Sequence, residues 1–260
     1  MTTLPSNGVV ADTTAQEWMQ NWSLFAELSQ PDYFSLFTQQ SGQEGCIGLN
    51  MEFEQYVSAI SPVGSKQLCI RMGCATPKGG QFGLILYPVN NNQQRSGNYY
   101  LITQSMYRPI DTLPTRGIIH VTPGNRLPDQ LGELWRLDWN DALFTHTLTP
   151  ACFTLPVSQK LIRGYNYQLQ EIIDTLFPPA DHPSGVVSHV YFILARHGHD
   201  PFGTESSSGC FGLVLLSGSQ PPDELFNPEI SDSRESGFRG SFYDLGSPCP
   251  DTCPPFDGGL

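Results

Sequence analysis

His197 and His199, one residue apart and followed by Asp200 and Glu205, are residue types that bind a borderline metal ion. On a strand, side chains at i and i+2 share a face, so the two imidazoles would converge and a carboxylate would complete the site. Gly198, Pro201 and Gly203 interrupt the stretch and favour an exposed polar loop instead, so no metal ligand is assigned. Trp135 and Trp139 bracket Arg136-Leu137-Asp138, with Asp141 just beyond. Read as a strand, this stretch puts both indoles on one side, the arrangement of an aromatic sugar platform beside carboxylates. A Trp pair buried in the core is the competing and favoured reading. Glu133, Asp138 and Asp141 can be posed as the acid/base pair of a glycosidase, but acids this close in sequence also serve to solvate a strand end. Cys249 and Cys253 are spaced too widely for a redox CxxC pair. Asn21-Trp22-Ser23 fits a glycosylation sequon, discounted here because no secretory leader is evident. There is no Gly-x-Ser-x-Gly elbow, phosphate-binding loop or dinucleotide fingerprint. No catalytic or cofactor-binding residue and no cofactor is assigned, and the chain is read as a non-enzyme.

The elements that would position such residues are mostly strands. Leu68, Ile70 and Met72 alternate with Gln67, Cys69 and Arg71, the period of two of a strand. Pro77, Gly79 and Gly80 turn the chain into Phe82-Gly83-Leu84-Ile85-Leu86-Tyr87, apolar almost throughout, as expected of a strand covered on both faces. A near copy follows late in the chain, where residues 190–195 alternate and Cys210-Phe211-Gly212-Leu213-Val214-Leu215-Leu216 repeats the second run. Ile47, Leu49, Met51 and Phe53 alternate with polar or small residues, predicting a strand with one wet face. Further strands are predicted at 99–103, 117–121, 134–139 and 142–148. Residues 165–177 carry both periods: Tyr165, Tyr167 and Leu169 alternate, while Leu169, Ile172, Ile173 and Leu176 have helical spacing. Thr14 and Glu17 have the spacing of a capping box, and Trp18, Trp22 and Phe25 recur behind it at helical intervals. A short helix over about 15–28, ended by Pro31, is therefore expected. Eight to ten strands spaced by turns make the pattern of an all-β sandwich or jelly roll. The expected organisation is an arm with a short helix over 1–40, a jelly-roll domain over 41–217 and a Pro/Gly-rich acidic tail over 218–260.

Only 15% of the 260 residues are charged, yet the net charge is −12. Residues 1–65 hold seven acids and no Lys or Arg, and 218–260 hold eight acids against Arg234 and Arg239, so the charge lies in the two ends. A basic arm for neutralising phosphates is absent, which argues against tight direct binding of nucleic acid. No run approaches the roughly 20 apolar residues that cross a bilayer, and no apolar-cored leader opens the sequence. A soluble protein without a membrane partner is expected. Seven scattered cysteines do not form a disulfide pattern and are expected as reduced core residues.

The order of strand, Gly-rich turn, Gly79-Gly80-Gln81-Phe82-Gly83-Leu84-Ile85-Leu86-Tyr87-Pro88, an aromatic strand over 98–104 and then Arg116-Gly117-Ile118-Ile119-His120-Val121 resembles the strand succession of picorna-like virus coat proteins. The plant comovirus and nepovirus (secovirid) group is the nearest in rhythm. Residues 190–217 are similar to the closing strands of such a domain, and the resemblance spans about 40–217. It implies a jelly-roll subunit of an icosahedral shell that associates with other coat subunits, as homo- or hetero-oligomer, around an RNA genome contacted weakly or indirectly. The implied location is the virion, and the host cytoplasm during assembly. The His197/His199 stretch is similar to the first motif of the cupins, metal-dependent jelly-roll enzymes. Glu205 comes later than that motif expects, and no second motif supplies a further His.

Overall fold

In the computed structural model, the residues described are 8–39, 41–109, 127–155, 158–170, 172, 188–196, 209–218 and 247–249. The predicted strand over 117–121 lies outside them. The described residues form ten strands and four α-helices: β1 (Gly8–Val10), α1 (Asp12–Ala26), α2 (Tyr33–Leu36), β2 (Glu44–Glu52), α3 (Phe53–Ile60), β3 (Gln67–Thr76), β4 (Gly79–Val89), β5 (Tyr99–Ile102), β6 (Ser105–Pro109), α4 (Leu127–Phe144), β7 (Gly164–Gln168), β8 (His189–Arg196), β9 (Phe211–Gly218) and β10 (Ser247–Cys249). They make two open antiparallel sheets, the first in the order β1-β5-β4-β3-β7-β10 and the second in the order β6-β2-β8-β9. Within the first, β3, β4 and β5 are successive neighbours and β7 returns beside β3, which is the Greek-key order. In the second, β8 and β9 stay side by side as a hairpin.

The alternation read from the sequence sorts side chains between layers. Leu68, Ile70 and Met72 of β3 and Phe82, Leu84 and Leu86 of β4 join Leu49 and Met51 of β2, Val190, Phe192 and Leu194 of β8 and Phe211, Leu213 and Leu215 of β9 in one core between the sheets. Both hairpins form where predicted, and β4 is covered on both faces: its Ile85, Tyr87 and Val89 are buried under Ala15, Trp18 and Met19 of α1. Close approach of that helix depends on a cross-strand glycine pair. Gly73 lies opposite Gly83, and a Cβ on either would sit 3.1 or 2.8 Å from Trp18. The outer face of the second sheet, with Tyr191, Ile193, Ala195 and Val214, packs against Trp135 of α4 and Met106.

The corner between the two sheets is stitched by tyrosines. The Tyr165 hydroxyl donates to Phe211 O, and the Tyr167 hydroxyl donates to Leu213 O at 2.8 Å. Tyr167→Phe leaves a buried carbonyl without that donor and is expected to lower stability by about 1–2 kcal/mol, read from the urea midpoint at unchanged m-value. A midpoint equal to that of the parent chain would show the bond to be worth nothing.

Several local expectations change. Residues 134–139 and 142–148 are not strands, because α4 runs through Phe144 and a turn follows. Positions 135 and 139 fit both a period of two and one of 3.6, and the helix buries Trp139, Ala142 and Leu143 at i, i+3 and i+4. Helix α1 starts at Asp12 with Ala11 as its N-cap and ends at Ala26, so Thr14 lies inside the first turn and caps nothing. A bulge between Cys46 and Gly48 lets Cys46 enter the core with Leu49 and Met51 while Ile47 is buried elsewhere, and Phe53 begins α3 rather than ending the strand. Within 165–177, β7 ends at Gln168 and the backbone turns helical at Leu169 and Gln170, while Ile173 and Leu176 of the helical spacing lie outside the described residues.

The N-terminal region is part of the same body. Trp22 and Phe25 of α1 and Tyr33 of α2 lie in the core between the sheets.

Candidate functional site

Helices α1 and α4 converge on one end of the sandwich, where an aromatic cluster closes it. Trp139 meets Phe37 edge-on at 5.0 Å and Phe211 at 5.5 Å, and Trp22 meets Phe153 at 5.4 Å. Both indoles also spend their N–H on backbone. Trp139 Nε1 donates to Cys46 O at 3.0 Å and Trp22 Nε1 to Ile162 O at 3.1 Å. Trp139 therefore has no face to offer a sugar: it is 0% exposed, and Trp135 packs against the second sheet from a different turn of the same helix. Asp138 and Asp141 sit a turn apart on α4 and are half-buried, with Glu133 on the turn before. This is a single helix, not two opposed walls.

Asn21 of the sequon is buried, and its Nδ2 donates to Cys74 O and Ala75 O, both at 3.2 Å. Those carbonyls lie at the β3 irregularity between Cys74 and Thr76, where the ladder with β4 is broken. The amide is thus committed to the backbone. His197, His199, Asp200 and Glu205 lie outside the described residues, as does Cys253, while Cys249 belongs to β10. Among the described residues, no three His, Cys, Asp or Glu side chains are grouped to hold a metal ion. Cys46, Cys69, Cys74, Cys152 and Cys210 are free and buried. Burial pushes the Cys46 and Cys210 thiols up to about 11 and Cys74 up to about 12. These three stay protonated at neutral pH and are poor nucleophiles.

Two arrangements have no signature in the local sequence pattern. Arg71 is 2% exposed on the outer side of β3. Its guanidinium donates to Ile70 O, to Tyr165 O at 3.0 Å and to Asn166 Oδ1 at 2.7 Å, and lies 5.5 Å from the Tyr87 ring centroid. Carbonyls, an amide and a π face thus solvate a buried cation. The second is a cleft of about 650 Å³ between residues 32–42 and the turn joining β3 to β4. Asp32, Ser35, Thr38, Gln39, Lys78 and Gln81 are among its lining residues, together with Phe34, whose ring stacks on His146 at 3.8 Å, and Leu36, which is buried in the core. Asp32 accepts from Ser35 N at 2.9 Å and Ser35 Oγ at 2.7 Å, and these bonds hold its carboxyl below the usual range. The available signal was the Pro77-Lys78-Gly79-Gly80 turn itself, since hairpin turns commonly carry function. Its partner segment lies some forty residues earlier, and no local pattern links the two.

No family model, curated protein or solved structure matches the chain. The functional reading therefore rests on the fold and on the chemistry of these side chains. No helix among the described residues is long and apolar enough to cross a membrane.

Proposed function

We propose that this chain is a structural coat subunit of the picorna-like virus kind, a jelly-roll sandwich that associates with other coat subunits around packaged RNA and performs no catalysis. The observation that carries the reading is the antiparallel two-sheet sandwich with Greek-key order β7-β3-β4-β5 in its first sheet. A jelly roll contains two such keys, and the β8–β9 hairpin within one sheet is a departure from that scheme. The acidic ends support an RNA contact that is indirect or left to another subunit, since a net charge of −12 opposes phosphate binding. The virion is the corresponding location, with assembly in the host cytoplasm. The Trp135/Trp139 platform of the competing sugar-binding reading lacks an exposed indole face at Trp139.

The test is made on the full chain, because Trp22 and Phe25 belong to the core and an N-terminal truncation would remove them. Size-exclusion chromatography with light scattering, followed by electron microscopy, is expected to show concentration-dependent oligomers and closed particles. Obligate contacts of this type bury about 2,000 Å² or more. A chain that remains monomeric into the millimolar range would overturn the proposal.

A further inference from the structure

We draw no further inference here: the strongest candidate, the surface cleft between residues 32–42 and the β3–β4 turn, has its Phe34 ring already stacked on His146 and its Leu36 in the core, and nothing in the structure shows what fills it.

Discussion

Replacing Trp139 with alanine is expected to destabilise the folded chain by about 3–5 kcal/mol, the range for deleting a large aromatic side chain from a packed core. The indole is fully buried among Phe37, Phe153 and Phe211. Its loss opens a cavity where α4 meets the space between the sheets. It also strands Cys46 O, which accepts the Trp139 Nε1 proton at the β2 bulge. Equilibrium urea unfolding followed by tyrosine and tryptophan fluorescence measures the change. Trp135→Ala is the internal comparison. That indole is half-buried on the outer face of the second sheet, so its truncation should cost only about 1–2 kcal/mol. Equal effects at the two positions would show that the aromatic cluster does not close the sandwich end as argued.

Gly164→Ala is expected to be at least as damaging, by about 3 kcal/mol or more, through backbone strain together with overpacking. Gly164 has φ +149°, a region that L side chains rarely adopt. A Cβ there would lie 2.0 Å from Ile70 O and 2.8 Å from Arg71 Cα, which are backbone atoms of the paired strand and have nowhere to move. Gly164 pairs with Arg71 on one side and with Cys249 on the other, so the substitution strikes the junction of β3, β7 and β10. The Tyr165 and Tyr167 bonds to β9 would be lost along with it. Gly42→Ala separates the two causes. Gly42 also has positive φ, at +67°, but nothing lies within 4 Å of the position a Cβ would take, so it should cost only about 1–2 kcal/mol. Soluble yield and urea midpoint report both variants. If Gly164→Ala is no worse than Gly42→Ala, the close approach of β7 to β3 is not a constraint.

These two positions also separate what local pattern reveals from what it hides. The hairpins over 67–89 and 189–218 were legible because a strand alternates its faces every residue. Leu68, Ile70 and Met72 could share a core only as a strand, and the unbroken apolar run of Phe82 to Tyr87 required cover on both sides. Helix α1 was legible for the same reason, since Trp18, Trp22 and Phe25 mark one helical face. Helix α4 was not. Over the five residues from Trp135 to Trp139 the two periods coincide, and the contacts that decide between them come from Phe37, Phe153 and Phe211, far away in the chain.

The candidate cleft was hidden more thoroughly, because Asp32 and Lys78 are ordinary polar residues until the fold sets their two segments face to face. By itself, then, the sequence determined the strands of the two hairpins, where those hairpins turn and that the charge gathers at the ends. Tertiary structure alone decided which helix covers which sheet, that the Trp139 indole points inward, and which polar groups share a cleft. Alternation is set by the backbone of a few neighbouring residues, whereas layering and site assembly depend on contacts between segments that the chain brings together only on folding.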